Sequence, residues 1–110
     1  MTLPQVLFPI GHLFVSPLAA AALGLAKSRV EPFIDRHISG DWAGMLTIEQ
    51  HDNIQAVANG DKVTSSYPIG PDTSERIVIV TNAERTRTAV HLAGEDTALI
   101  PALVLACAPD

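Results

Sequence analysis

The stretch Arg76-Ile77-Val78-Ile79-Val80-Thr81, followed by Asn82-Ala83-Glu84 and then Arg85-Thr86-Arg87-Thr88-Ala89-Val90-His91-Leu92, decides the fold. Both runs are rich in β-branched residues and are separated by a short polar connection, so they read as two paired strands. Ile77 to Val80 is apolar without alternation, which suits a central strand covered on both sides or nearly so. Lys62 to Tyr67 has the same character, and Pro68, Gly70, Pro71 and Asp72 supply the turn that separates it from Arg76. The expected sheet is therefore a three-stranded antiparallel meander over residues 61–93.

Upstream of the meander, over residues 16–60, the periodicity changes to that of helices. Ser16-Pro17 pairs an N-cap residue with the residue best tolerated at the first helical position, and the helix from Pro17 to Leu23 is expected to stop at Gly24. Val30, Phe33, Ile34 and Ile38 recur at helical spacing on one face, and Gly40 closes this second helix. Thr47 and Gln50 have the spacing of a capping box that opens a third helix, with Ile48, Ile54, Val57 and Ala58 following and Asn59-Gly60-Asp61 ending it. Residues 1–15 read as an extended N-terminal segment and 94–110 as an apolar C-terminal extension. The chain is thus expected to be one α+β domain, with two or three N-terminal helices packed on one face of the meander.

Of the 110 residues, 47% are hydrophobic and 17% charged, which is enough apolar material for a core. The formal net charge of -5, without a basic stripe, disfavours direct nucleic-acid binding. Cys107 is the single cysteine, so no intramolecular disulfide can form and a cytoplasmic location is expected. Val6 to Leu25 imitates an export signal, but no Lys or Arg precedes Lys27, and Pro4, Pro9, Gly11, His12 and Pro17 interrupt the run. The same interruptions argue against a membrane span. Thr97 to Ala108 is apolar around Pro101, and such a segment must pack on the core, pair with another copy or meet a partner.

Chemistry-bearing residues concentrate at Arg36-His37-Ile38-Ser39-Gly40-Asp41-Trp42. His37 and Asp41 could be a base and its orienting carboxylate, with His51-Asp52 as a further pair. The plainer alternative has His37 satisfying the helix end, Asp41 capping the next turn and Trp42 anchoring the core. His12, His37, His51 and His91 lack metal-binding spacing, so neither a metal nor another cofactor is expected. Cys107 has no neighbouring base and reads as a small buried hydrophobe. Thr64, Ser65, Ser66, Thr86 and Thr88 fit strand propensity and cross-strand pairing, while Arg85 and Arg87 alternate with threonines and would project to one face of the sheet.

Arg36-His37, Gly40-Asp41-Trp42, Asp52-Asn53, Gly60, Ser65, Tyr67, Ile79-Val80-Thr81, Glu84-Arg85 and Thr88 occur in an order that resembles a family of short bacterial proteins of unknown function carried by plasmids, phages and integrated elements. The resemblance runs from Pro9 to Leu92. It departs at Ala43, where the family has glycine, and beyond Leu92, where members end in a short acidic-aromatic tail. The family labels imply no activity, but the resemblance together with the acidic charge and the lack of a catalytic constellation leads to the expectation of a non-enzymatic protein that binds and inhibits a host defence complex of the CRISPR or restriction type. Arg36, His37, Asp41, Trp42, Asp52, Asn53, Tyr67, Arg85 and Arg87 would then meet the partner. The alternatives are a homo-oligomeric accessory or regulatory module paired through residues 97–108, and a small enzyme using His37 and Asp41.

Overall fold

The computed structural model describes residues 6–69 and 75–95. In chain order the elements are β1 (His12–Val15), α1 (Pro17–Leu25), α2 (Glu31–Ser39), α3 (Thr47–Asn59), β2 (Val63–Pro68), β3 (Arg76–Thr81) and β4 (Arg87–Leu92). The fold is α+β, and the expected antiparallel ladder is present from β2 through β3 to β4. The sheet is nevertheless four-stranded and mixed, in the order β1-β4-β3-β2. The N-terminal segment expected to be merely extended supplies an edge strand parallel to β4, with Phe14 opposite Ala89 and Val15 opposite Val90.

Gly11 makes that edge pairing possible. Its φ is +63°, and its α-carbon lies so close to the backbone of Thr86 that any β-carbon would overlap the Thr86 carbonyl. The next residue, His12, donates its backbone N–H to that same carbonyl at 2.9 Å, and Ser16 closes the other end of the pairing with a 2.9 Å bond to Val90.

The helices cover one face of the sheet. Ala19 and Leu23 of α1, Ile34 of α2 and Ala56 of α3 join Val63, Tyr67, Ile77, Ile79 and Val90 in the main core. Tyr67, Ile77, Ile79 and Val90 are fully buried, each contributing on the order of 1.5–3 kcal/mol by leaving water. On the opposite face Val80 and Ala89 are also buried, with Phe14 and Val78 packed against them. Strand β3 is therefore apolar on both sides, as its unbroken run requires, but it shares the interior of the sheet with β4.

Helix boundaries follow local chemistry, with two corrections. Ser16 caps α1 through a 3.1 Å bond accepted from the Ala19 N–H, yet the helix runs through Gly24 to Leu25. The left-handed residue after it is Lys27, at φ 54°. Gly40 and Gly60 close α2 and α3 in left-handed conformations, as expected. At the start of α3 the cap position belongs to Leu46 rather than Thr47. Only the returning half of a capping box forms there, where Glu49 accepts the Leu46 N–H at 3.1 Å. Ile48 and Ile54 mark the helix in the sequence but point to solvent, and Asn53 and Ala56 face the sheet instead. Gly70, Pro71, Asp72 and residues 97–108 lie outside the described residues.

Candidate functional site

The corner between α2 and α3 gathers several of the singled-out residues, with roles set by geometry. Arg36 Nε bonds Asp41 Oδ2 at 3.0 Å, and the guanidinium carbon lies 4.4 Å from the centre of the Tyr67 ring. Tyr67 donates its hydroxyl to the Asp41 carbonyl at 2.9 Å, tying the loop after α2 to strand β2. Burial pushes the Tyr67 phenol above its ordinary pKa. Trp42 is buried in the core, as a structural anchor would be, and among the described residues its indole N–H has no hydrogen-bond partner. A partner cannot reach His37, Trp42 or Tyr67 without unpacking this corner, because each is enclosed. As partner-contacting residues these three are therefore corrected to core positions.

His37 and Asp41 do not form a base and carboxylate pair. Asp41 is committed to Arg36, while His37 is fully buried with Nδ1 2.6 Å from Ser65 Oγ and Nε2 2.8 Å from Thr81 Oγ1. Thr81 Oγ1 continues to Thr88 Oγ1 at 2.7 Å, and Thr88 donates to the Ile10 carbonyl at 2.8 Å. A carbonyl can only accept, so the direction of the whole chain is fixed from that end. Thr88 accepts from Thr81, Thr81 accepts from the Nε2–H of His37, and Nδ1 accepts the Ser65 hydroxyl. His37 is accordingly a neutral ring protonated on Nε2, with the Phe8 ring edge-on at 5.1 Å. Burial, reinforced by the positive charge of Arg85, lowers its pKa from 6.5 to about 3. The helix end does not bind His37, contrary to the plainer expectation, because the imidazole turns inward to the sheet hydroxyls.

Along the outer edge of the sheet, α3 and β2 enclose an open groove of about 430 Å³ lined by residues that include Met45, Glu49, Asp52, Lys62, Thr64 and Val78. Asn53 forms its inner wall. The side-chain amide donates to the Thr64 carbonyl at 2.8 Å and accepts the Thr64 N–H at 3.3 Å, so it stands in for a neighbouring strand. Two residues along, Arg76 Nη2 donates to the Ser66 carbonyl at 3.2 Å. Pro68 then removes the next outward N–H altogether. The β2 edge is thus blunted against strand addition. Asn53 is a strand-edge cap rather than a partner contact, whereas Asp52 is exposed on the groove wall. His51 meets Gln55 at 3.1 Å and does not pair with Asp52.

The two arginines expected on one sheet face separate. Arg85 lies in the connection before β4 at φ 62°, and its guanidinium reaches the carbonyls of Asp61 at 2.7 Å and Ala56 at 3.3 Å. It neutralises the carbonyl end of α3, with Phe8 5.0 Å beneath it. Arg87 begins β4 and is exposed. Asn82, marked in the sequence only as part of the short polar connection, organises it by accepting the N–H groups of Thr86 at 2.9 Å and Arg87 at 3.1 Å. Ser65, Thr81 and Thr88 were visible as strand hydroxyls but not as a relay; the usable signal was that all three occupy inward-facing positions of one sheet face.

Among the described residues no cluster of His, Cys, Asp and Glu is placed to hold a metal ion. No helix there is long and apolar enough to cross a membrane. Comparison with protein-family models, with curated proteins and with solved structures returns no match to this chain.

Proposed function

We propose that the chain is a protein-binding module whose contact surface is the outer side of α3 and the groove it forms with β2, and that it inhibits a basic, nucleic-acid-handling host defence complex. The observation that carries this reading is the character of that surface. Glu49 and Asp52 line an open groove, and Ile48, one helical turn before Asp52, is 62% exposed. Exposed apolar side chains beside two acids, with Lys62 the one basic side chain in the lining, are the composition of a contact surface for a cationic partner. Charge distribution points the same way. Between residues 31 and 61 the acidic side chains are Glu31, Asp35, Asp41, Glu49, Asp52 and Asp61, and the one basic side chain is Arg36.

The blunted β2 edge argues that recognition uses side chains rather than strand addition. The resemblance to mobile-element proteins supports counter-defence as the setting, and the partner's basic nucleic-acid groove is the surface that such an acidic helix would occupy. The test is a pull-down and plasmid-interference assay with purified defence complexes, comparing the wild-type chain with Glu49→Lys/Asp52→Lys. Wild-type binding that weakens with salt and is lost in the double variant is expected. Absence of wild-type binding and inhibition, or full retention in the variant, overturns the reading.

A further inference from the structure

We propose that the exposed apolar side of α1 is the seat of this chain's own residues 97–108, docked within the same molecule. Helix α1, Pro17-Leu-Ala-Ala-Ala-Ala-Leu-Gly-Leu25, carries no charged or hydrogen-bonding side chain on any face. Only Ala19 and Leu23 are buried against the sheet, while Leu18 is 56% and Leu25 87% exposed. Leu18, Ala21 and Leu25 recur at the spacing of one helical stripe. A surface helix ordinarily turns a polar face to water, and one that is apolar all round is ordinarily covered.

The occupant is indicated by where the described chain stops. Glu95, its last described residue, is fastened to the start of α1: Ser16 Oγ, the α1 cap, donates to Glu95 Oε1 at 2.9 Å, and the Leu92 N–H donates to the same oxygen at 3.0 Å. Helix α1 has no acidic residue in its own first turn, so the Glu95 carboxylate also supplies the negative charge that its N-terminus favours. The chain therefore leaves the sheet at the N-terminal end of the apolar helix. A single residue, Asp96, separates Glu95 from Thr97, where the apolar segment begins. A nine-residue helix is about 14 Å long, and roughly five extended residues cover that distance, so the segment has more than enough length. Thr97 to Ala108 contains no charged residue, which matches α1 and not the acidic side of α3.

Cys107 is the single cysteine of the chain and provides the probe. A nitroxide attached there in the full chain should broaden the backbone amide resonances of Leu18 to Leu25 more than those of α3. Mixing isotope-labelled chains without nitroxide with unlabelled nitroxide chains should abolish the effect. Broadening that survives mixing assigns the face to a second copy and overturns the proposal, as does broadening centred elsewhere or absent. Because a label near the end of the segment could itself displace it, the measurement is repeated with Ala102→Cys in a Cys107→Ala background. If both labelling positions fail to broaden α1, the proposal is wrong. In the Leu18→Lys/Leu25→Lys chain, with α1 amides still in helical positions, the broadening over α1 should be lost, and its persistence also overturns the proposal. None of these readouts depends on the α3 groove or on any partner.

Discussion

His37 of α2 and Thr81 of β3 are joined by a 2.8 Å hydrogen bond across 44 residues of sequence, and through Thr88 the link continues to the Ile10 carbonyl. This relay connects a helix, both interior strands and the residue just before Gly11. One consequence is spectroscopic. Because the Ile10 carbonyl fixes the direction of every bond, His37 should be the neutral Nε2–H tautomer at pH 7, and its ring nitrogen shifts should report that form. Finding the Nδ1–H tautomer would reverse the assigned directions of the relay.

Stability should fall in mild acid because of this one ring. In the folded chain its pKa is about 3, against 6.5 when unfolded, so between those values the unfolded chain binds a proton that the folded one does not. The stabilisation is complete above pH 6.5 and is lost as the pH falls towards 3, with a slope of up to about 1.4 kcal/mol per pH unit. Urea denaturation at stepped pH tests this. In His37→Gln the slope over that window should flatten, and an unchanged slope would assign the acid sensitivity to other groups.

Thr81→Val preserves shape while removing the hydroxyl that accepts from His37 and donates to Thr88. Two buried groups lose a partner, so unfolding free energy should drop by about 1–3 kcal/mol. Ser66→Ala, on the opposite face of the same sheet, should cost much less because its hydroxyl is only partly buried. Equal effects from the two substitutions would show that the relay contributes no more than ordinary sheet hydroxyls.

The relay also shows where sequence reading succeeds and where it stops. The pairing of β2, β3 and β4 is legible because each strand follows the last in sequence and their apolar content is dense. Gly40 and Gly60 end their helices for a local reason, the left-handed turn, which a one-dimensional pattern carries. The partner of His12–Val15 is not local. Four residues at a sheet edge have no periodicity that distinguishes pairing with β4 from lying free. Likewise Ile48 and Ile54 announce a helix without saying which side faces inward, and Asn53 takes the inner position because β2 needs its edge satisfied. In the candidate site Arg36, Asp41 and Tyr67 do converge at the marked corner, but His37 leaves Asp41 for hydroxyls that become its neighbours only once the sheet exists.

Asn53→Leu should expose that dependence. The substitution removes both bonds to the Thr64 backbone, at 2.8 Å and 3.3 Å, and leaves an outward-facing strand position open. A loss of about 1–2 kcal/mol is expected, together with faster hydrogen exchange at the Thr64 amide and concentration-dependent association through the β2 edge. Unaltered exchange at Thr64 would mean that the edge is protected by something other than this side chain.

Gly11→Ala tests the parallel edge strand most directly. At φ +63° an alanine is strained, and its β-carbon would overlap the Thr86 carbonyl, which is backbone and cannot rotate away. Relief requires β1 to move off β4, breaking the 2.9 Å bond from His12 to Thr86 and disturbing the relay's terminus at Ile10. The expected cost is on the order of 2–4 kcal/mol, a sum of backbone strain and lost pairing. Amides of His12, Phe14 and Ser16 should lose protection from exchange, while those paired between β2 and β3 keep theirs. Gly24→Ala is the control, since a β-carbon at that helical position meets nothing nearby and alanine favours the helix. Equal stability of the Gly11→Ala and Gly24→Ala chains would remove the argument that β1 is held in place by close approach at Gly11.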